Sequence, residues 1–261
     1  MENTIRLEIL DSVTSTMDVA RENVTSGRHF FTPEGSPLYQ GVMAYEQTLG
    51  RGQRGNRWFA APRQSLCATF YYRDSHTDPE HSHEVSLLAG VAVLSAVQQV
   101  IGRAVAIPQL GLKWPNDLLL NGKKLGGILI EMVKAEDGKW VILIGTGINL
   151  TVPTFPPELA SIATSLVNEG LPSCTCEEMA EQIAHQLTRF AQRKAEQGFA
   201  YIHEIWQSYD LTQGRRYLFE EAGVSRIGTA VGVTPKGSLR LQCEDGSEIV
   251  VKTATSLKEL L

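Results

Sequence analysis

The sequence predicts an α+β fold, with a mixed, largely antiparallel sheet, flanking helices and a small β-barrel at the C-terminus. Strand-like runs in the middle of the chain are joined by Asn-Gly at 121–122 and Asp-Gly at 137–138, pairs that are typical of consecutive hairpins. Segments with apolar residues at helical spacing precede and follow these runs. After Gly214, short strand-like runs that stand close together indicate a small barrel.

The N-terminal half of the chain alternates strands with helices. Residues 1–11 alternate apolar and polar side chains, which predicts a strand rather than a secretory signal. The hydroxyl groups of Thr14, Ser15 and Thr16 are suited to cap a helix that ends before Gly27. The other predicted elements are an amphipathic helix over 84–101 and strands at 42–46, 66–72, 118–120, 125–132 and 140–148.

The C-terminal half contributes two more helices and the strands of the barrel. Thr175 followed by Glu178 forms a capping-box pattern, which predicts that a helix over 176–197 begins there. A shorter helix is predicted over 199–209. The barrel strands are predicted at 217–219, 226–233, 238–243 and 248–252. We therefore predict two domains, residues 1–212 and residues 213–261.

The composition argues against several classes of function. The 261 residues carry a formal net charge of −5, whereas a nucleic-acid-binding surface usually leaves a basic excess. The most apolar long stretch, residues 85–101, contains serine and glutamine, and a membrane span needs roughly 20 mainly apolar residues. The four cysteines lack zinc-ligand spacing, which predicts reduced thiols and no protein-held metal. We expect a cytoplasmic protein that binds neither nucleic acid nor membranes.

A loop rich in glycine and arginine follows the second predicted strand. Residues 46–58 read Glu-Gln-Thr-Leu-Gly-Arg-Gly-Gln-Arg-Gly-Asn-Arg-Trp. Backbone N–H groups beside glycines can converge on an anion, and arginines present forked donors to phosphate or carboxylate oxygens. The loop is not a Walker motif, because no Gly-Lys-Ser/Thr follows. A solvated basic loop is the alternative interpretation.

The first predicted hairpin brings a lysine and a carboxylate together. Lys-Trp-Pro-Asn-Asp at 113–117 leaves one strand and Lys124 enters the next, so Asp117 and a lysine can share one site. This pair suits acyl-phosphate chemistry, because at about 4 Å and an effective dielectric near 20 a lysine attracts one phosphate charge by roughly 4 kcal/mol. The alternative is a turn with a surface ion pair, which contributes less than about 1 kcal/mol.

A third segment, Gly-Thr-Gly-Ile-Asn at 145–149, ends a very apolar strand. Small residues there allow a ligand to lie against the backbone. Asn149 offers donors and an acceptor to a base edge or an amide. The segment is not a dinucleotide fingerprint, because neither a third glycine nor a helix follows.

In this order the three segments resemble the catalytic domain of the biotin–protein ligases. That family's pattern is a Gly-Arg-Gly-rich loop, Lys-Trp-Pro-Asn-Asp, Lys-Leu-x-Gly and Gly-x-Gly-Ile-Asn, and the resemblance covers residues 11–166. The predicted barrel suits the family's small SH3-like C-terminal domain. No helix–turn–helix pattern precedes the first strand, so we expect no DNA-reading module and no repressor role of the kind that some members have.

The resemblance implies a two-step reaction. Biotin and ATP, with Mg²⁺, first form biotinyl-5'-AMP and release pyrophosphate, and the biotinyl group then passes to a lysine of a biotin carboxyl carrier protein or of a carrier domain of a carboxylase. The family includes monomers and dimers, so a homodimer stays open. Two alternatives are a lipoate– or octanoate–protein ligase or transferase of related fold, and a non-catalytic biotin-binding protein.

The resemblance also implies site residues. The catalytic residues would be Lys124, Arg51 and Asp117, with Lys124 binding the carboxylate and phosphate and Asp117 orienting the acceptor amine. Biotin would be bound by Ser15, Thr16, Gln47, Gly50, Arg51, Lys124, Gly127, Gly145 and Gly147. The nucleotide would be bound by Arg51, Gln53, Arg54, Trp58, Lys113, Asn116 and Asn149, with Trp58 packing on adenine.

The sequence departs from the family's pattern at two places. Many members have arginine where this chain has Gln53, and the lost charge predicts greater leakage of free biotinyl-AMP. The spacer Ser12-Val13-Thr14 before Ser15 leaves open which hydroxyl groups face biotin.

Overall fold

The computed structural model describes residues 6–28, 40–73, 77–78, 82–102, 109–221, 224–252 and 257–260. These residues form four α-helices and twelve strands. The helices are α1 (Thr16–Thr25), α2 (Ser82–Ile101), α3 (Cys176–Gln197) and α4 (Phe199–Ser208). The strands are β1 (Arg6–Val13), β2 (Gln40–Gln47), β3 (Ser65–Tyr72), β4 (Leu110–Lys113), β5 (Asp117–Leu120), β6 (Lys123–Lys134), β7 (Trp140–Asn149), β8 (Arg216–Glu221), β9 (Val224–Val233), β10 (Leu239–Cys243), β11 (Glu248–Val251) and β12 (Lys258–Leu260).

Seven strands form the main sheet, in the order β1-β2-β3-β7-β6-β5-β4. Only β1 and β2 pair in parallel, since α1 carries the chain back across the sheet between them. All other neighbours pair antiparallel, and β4 to β7 are consecutive along the chain. The sheet confirms the predicted mixed, largely antiparallel class. The first strand was predicted at residues 1–11, of which residues 1–5 lie outside the described part, and β1 extends to Val13.

Helices cover both faces of the main sheet. On one face, α1 buries Met17, Ala20 and Val24 in a small core that includes Val141 and Leu143 of β7. On the other face, the three remaining helices share a larger core with the alternate residues of the same strand. Both faces of β7 are covered, which explains why apolar side chains predominate along this strand.

Helix α2 is long and apolar enough to cross a membrane by length and composition alone. Two thirds of its most apolar stretch is nevertheless buried inside the fold. It packs between the sheet and α3, and Gly90 allows Trp206 of α4 to approach closely, because a Cβ atom at residue 90 would lie 2.6 Å from its Cζ3. These contacts are typical of a core helix.

The remaining strands form a second, antiparallel sheet in the order β11-β10-β9-β8-β12. Strands β8 to β11 match the four predicted barrel strands, and the short edge strand β12 was not predicted. Tyr217 and Phe219 of this sheet belong to the same hydrophobic cluster as Leu112 and Trp114 of the main sheet. Since the core is continuous, the division into domains at residue 212 stays a prediction.

Candidate active site

A cavity of about 280 Å³ lies where the ends of the main sheet meet the second sheet. It is lined by segments far apart in the chain: the start of α1, the glycine- and arginine-rich loop, the β4–β5 turn, the middle of β6 and β7, and β8 and β12. Predicted site residues in its lining are Ser15, Thr16, Gln47, Arg51, Gln53, Trp58, Lys113, Asn116, Asp117, Lys124, Gly127, Gly145 and Gly147. Residues 47, 51–53 and 56–58 of the glycine- and arginine-rich segment line this cavity, and their role in binding stays a prediction.

Two predicted residues that the structure describes, Gly50 and Asn149, are not part of this lining. Gly50 lines an adjoining cavity of about 760 Å³, which shares the glycine- and arginine-rich loop with the first. Asn149 is buried below the site, where its Nδ2 donates to the carbonyl oxygen of Thr164 at 3.0 Å and its Oδ1 accepts from the hydroxyl of Ser65 at 3.3 Å. The side chain of Arg54 lies outside the described part of the chain. A contact between Asn149 and the nucleotide stays a prediction.

Lys124 and Asp117 form an ion pair in the cavity, with 2.5 Å between Nζ and Oδ1. Asp117 and Leu119 lie on the same face of β5 because they are two residues apart, and Leu119 pairs with Lys124, so Asp117 and Lys124 share that face. The pairing shifts just before Leu119, so that Leu125 is the extra residue of a β-bulge. The bulge brings Gly127 opposite Asp117, so that Gly127 also lies on the face of the ion pair; bulges are common beside active sites.

The backbone of Lys124 is held from its other side as well. Its N–H donates to the carbonyl of Ile162 at 2.8 Å, and its carbonyl accepts from the N–H of Thr164 at 3.0 Å. The amide of Asn116 donates to the carbonyl of Ile128 at 2.7 Å and so ties the β4–β5 turn to β6. These bonds fix the two strands that carry the ion pair.

Trp114 anchors the β4–β5 turn to the second sheet. The peptide bond between Trp114 and Pro115 is cis. The indole Nε1 donates to the carbonyl of Gly237 at 2.9 Å, and the backbone N–H donates to the hydroxyl of Thr212 at 2.8 Å. The tryptophan of the Lys-Trp-Pro-Asn-Asp segment is therefore part of the support of the site, and its neighbours Lys113 and Asp117 line the cavity.

The glycine- and arginine-rich loop is folded as a small hairpin. The N–H of Trp58 donates to the carbonyl of Gly50 at 2.9 Å, and the N–H of Gly52 donates to the carbonyl of Asn56 at 2.7 Å, across a 3-10 turn at Gln53–Gly55. A Cβ atom at residue 50 would lie 2.7 Å from the carbonyl oxygen of Trp58. Only glycine at residue 50 allows the two strands of this small hairpin to approach each other so closely.

The guanidinium group of Arg51 is paired with carboxylates at the rim of the cavity. Nη2 lies 2.8 Å from Oδ1 of Asp18, and Nη1 lies 3.5 Å from Oε1 of Glu131. Arg21 also pairs with Glu131. Because more than a third of Arg51 is exposed, these pairs are weak surface interactions that a phosphate group can displace.

Two buried hydroxyl residues begin α1 at the opposite end of the cavity. Ser15 caps the helix, and its Oγ accepts from the N–H of Met17 at 3.3 Å. Both the N–H and the hydroxyl of Thr16 donate to Oε1 of Gln47, at 2.7 and 3.1 Å. The hydroxyl of Thr69 donates to that of Thr16 at 2.9 Å. Of the hydroxyl residues between 12 and 16, Ser15 and Thr16 line the cavity.

Glycines on β6 and β7 form the floor on which Trp58 lies. A Cβ atom at residue 147 would lie 2.4 Å from Cε2 of Trp58, and one at residue 127 would lie 3.3 Å from Cε of Lys124. On β7, the strand that also carries Gly147, a Cβ atom at residue 145 would lie 2.7 Å from Sδ of Met17. The indole Nε1 of Trp58 is buried and has no hydrogen-bond partner among the described residues.

The second sheet contributes Tyr217 and Glu259 to the lining, and Leu257 just before β12 contributes a third residue that the sequence did not predict. Oε2 of Glu259 accepts from Nζ of Lys113 at 2.6 Å. Burial acts to raise the pKa of Glu259, but the hydrogen bonds from Lys113 and Arg215 outweigh it and hold the pKa below its ordinary value. Burial, and then the charge of Glu259, raise the pKa of the Tyr217 hydroxyl, which stays protonated as a donor.

The site combines a polar end, a floor of glycines and a row of cations. Arg51, Lys124 and Lys113 all line the cavity that contains Asp117, so the site can bring two anionic groups together by offsetting their repulsion. Among the described residues, no group of three or more His, Cys, Asp or Glu side chains is arranged to hold a metal. All four cysteines, which lie in the described part, are free thiols.

Comparison with known proteins assigns the family. A family model described as the biotin/lipoate A/B protein ligase family matches residues 10–149. The chain is 32% identical to the bifunctional ligase/repressor BirA of Bacillus subtilis, over 90% of its own length and 69% of that protein's. The chain belongs to the biotin/lipoate A/B protein ligase family. It is also 32% identical to the biotin–[acetyl-CoA-carboxylase] ligase of Mycobacterium tuberculosis, over 84% of its length and 78% of that protein's.

Solved structures of such ligases share the fold. The biotin protein ligase from Aquifex aeolicus in complex with biotin and ATP has a TM-score of 0.76 at 22% identity, with 98% of this chain and 99% of that chain covered. The biotin protein ligase from Leishmania major in complex with biotinyl-5-AMP has a TM-score of 0.62 at 27% identity, with 95% and 99% covered. The predicted fold class and the predicted resemblance to biotin–protein ligases are confirmed.

Proposed function

We propose that this ligase joins biotin to ATP as biotinyl-5'-AMP and then transfers biotin to a specific lysine of a biotin carboxyl carrier protein or carrier domain. The observation that carries the proposal is the Lys124–Asp117 ion pair, which lies in one cavity with the glycine floor and the arginine-bearing loop. The relatives favour biotin over lipoate or octanoate as the acid, since two of them are named biotin–[acetyl-CoA-carboxylase] ligases.

The polar end of the cavity would select the acid. The buried Ser15 and Thr16 and the half-buried Gln47 present oxygen and nitrogen atoms there, and the floor at Gly127, Gly145 and Gly147 allows a ligand to lie against the backbone. A site built to hydrogen-bond a polar ring rejects an analogue that lacks the matching groups by large factors. The ureido ring of biotin would make these bonds, and the hydrocarbon chain of octanoate would not.

In the first step a carboxylate oxygen of biotin attacks the α-phosphorus of ATP. A bond forms between them, the bond from that phosphorus to the oxygen of the β-phosphate breaks, and pyrophosphate leaves with the electron pair. Lys124 would bind the carboxylate and the α-phosphate as charge develops between them. Arg51 would exchange its pairs with Asp18 and Glu131 for the nucleotide's phosphates. Mg²⁺ bound to ATP would neutralise further phosphate charge.

In the second step the neutral amine of the acceptor lysine forms a bond to the carbonyl carbon of the mixed anhydride. The bond from that carbon to the phosphate oxygen breaks, AMP leaves with the electron pair, and the amine's proton passes to solvent. A lysine with the reference pKa near 10.4 is less than about 0.1% neutral at pH 7. Asp117 would attract and orient the incoming amine, because its carboxylate lies in the cavity beside Lys124. Closure of the loop over the intermediate would shield the anhydride from water.

The proposal also includes the setting of the reaction. We place it in the cytoplasm, where ATP and carboxylase subunits are available. A DNA-binding role is not part of it, since a formal net charge of −5 does not favour a nucleic-acid surface.

The experiment that tests the proposal is exchange of radiolabelled pyrophosphate into ATP in the presence of biotin, lipoate or octanoate. Exchange with biotin alone is the expected result. Exchange with lipoate or octanoate would assign the chain to the other branch of the family. A folded protein that supports exchange with none of the three acids would point to a non-catalytic biotin-binding protein.

A further inference from the structure

Glu259 reaches from the last strand of the second sheet into the cavity and meets Lys113, 146 residues earlier in the chain. Its Oε2 accepts from Nζ of Lys113 at 2.6 Å, and its Oε1 accepts from Nη1 of Arg215. Arg215 is itself fixed, because its Nε donates to the carbonyl of Leu211 at 2.8 Å. The side chains of Lys113 and Glu259 are each 20% exposed, so this pair is more sheltered than a surface ion pair.

Lys113 has two carboxylates within ion-pair distance, and Glu259 is nearer to it than Asp117 is. Asp117 lies 2.5 Å from Nζ of Lys124 and 4.0 Å from Nζ of Lys113. Without Glu259, the flexible side chain of Lys113 would turn to Asp117, which is the nearest remaining carboxylate and already the partner of Lys124. With Glu259 in place, Lys124 stays beside Asp117 at the reacting centre, and Lys113 is held nearer the second sheet.

The hydroxyl of Tyr217 lines the same end of the cavity. Independently of the Lys113–Glu259 pair, it indicates that a group binds there. The residue is 4% exposed, and its hydroxyl oxygen has no hydrogen-bond partner among the described residues. A buried hydroxyl without a partner is costly and is usually explained by a ligand or a water molecule. Tyr217 therefore has a donor available for a bound group.

We propose that the second sheet completes the nucleotide end of the cavity, with Glu259 positioning Lys113 and the hydroxyl of Tyr217 donating a hydrogen bond to bound ATP. The inference rests on the proposed adenylation of biotin by ATP. Because Lys113 is a cation, the group that it meets is the polyphosphate of ATP, and not the ammonium group of an acceptor lysine.

The test measures KM for ATP in biotin-dependent pyrophosphate exchange, with the Tyr217→Phe and Glu259→Gln variants. KM for ATP should rise about ten-fold in each, the scale of one lost hydrogen bond to a charged group. KM for biotin should change less than two-fold, and the melting temperature of Tyr217→Phe should not fall, since its hydroxyl has no partner to lose. The matched control is Glu248→Gln, which removes an ion pair with Arg240 on the exposed surface of the same sheet.

A double-mutant cycle separates positioning from a general structural effect. In a Lys113→Met background, Glu259→Gln should raise KM for ATP no further. Additive effects would show that Glu259 acts without Lys113. An unchanged or lowered KM for ATP, or an equal rise in KM for biotin, would overturn the inference while leaving the proposed function in place. Absence of exchange in the unaltered protein would instead overturn the proposed adenylation, and this inference with it.

Discussion

The indole ring of Trp58 lies directly on the glycine floor of the cavity. The distance from its Cε2 to the place of a Cβ atom at residue 147 is 2.4 Å, so no side chain other than glycine is compatible with the ring there. Its Nε1 is buried without a partner among the described residues. A ring in this position must move if biotin is to lie along the floor, and adenine would then offer it a stacking surface.

We therefore expect binding of biotin and ATP to quench the tryptophan fluorescence. The quench should be lost in Trp58→Phe and kept in Trp140→Phe, which alters a tryptophan at the far end of β7. A fluorescence titration with biotin and a non-hydrolysable ATP analogue measures the effect. An equal quench in both variants would show that the ring of Trp58 does not respond to the ligands.

At the scale of structural elements, the glycine- and arginine-rich loop is a folded hairpin in which the side chain of Arg51 is only weakly held. Each surface ion pair of Arg51 contributes less than about 1 kcal/mol, so a bound phosphate can replace both partners. Gln53 begins the 3-10 turn at the tip and lines both cavities, but it brings no charge to the intermediate.

Gln53→Arg should therefore slow the release of biotinyl-AMP, by roughly three- to ten-fold if the new guanidinium makes one exposed charge contact. The measurement is the rate at which preformed intermediate is lost from the enzyme in the absence of acceptor. Gln99→Arg, an exposed position near the end of α2, is the control for added charge. If Gln53→Arg and Gln99→Arg release the intermediate equally fast, the loop's charge does not govern retention.

At the scale of the whole molecule, the two sheets share one core and one cavity. Trp114 in the β4–β5 turn is buried against the second sheet, and the hydrophobic cluster continues from Leu112 to Phe219. We propose that residues 1–212 and 213–261 are two units that are stable only together.

The full chain should unfold in a single cooperative transition, and a chain that ends at residue 212 should show none. The truncation removes Gly237, the hydrogen-bond partner of the Trp114 indole, and exposes apolar core surface to water, at about 25 cal/mol per Å². Near-UV circular dichroism during heating measures both proteins. A truncated chain that keeps a cooperative transition would show that residues 1–212 fold alone.

The features that sequence reasoning predicted are those with a local cause. The hairpins follow from turns such as Asn121-Gly122, and α3 begins at its capping box, in which Thr175 and Glu178 bond to each other's backbone N–H. The bulge at Leu125 has no such signal, because it depends on how β5 and β6 settle against the chain around Ala163.

The contribution of the second sheet to the site could not be predicted for the same reason. Glu259 and Tyr217 reach the cavity only through tertiary packing, and a glutamate on a short edge strand has no pattern that marks it. Asn149 shows the converse. Its position at the end of β7 was predicted, but the structure uses its amide to hold Thr164 below the site.

The most direct test of the account compares two neighbouring lysines on β6. Lys124 is paired with Asp117 in the cavity, whereas Lys123 is exposed at the start of the strand. Biotin-dependent pyrophosphate exchange should fall at least about 100-fold in Lys124→Ala, the scale of losing one group that stabilises charge in the transition state, and should be unchanged in Lys123→Ala. Equal exchange rates in the two variants would contradict the assignment of the reacting centre to Lys124.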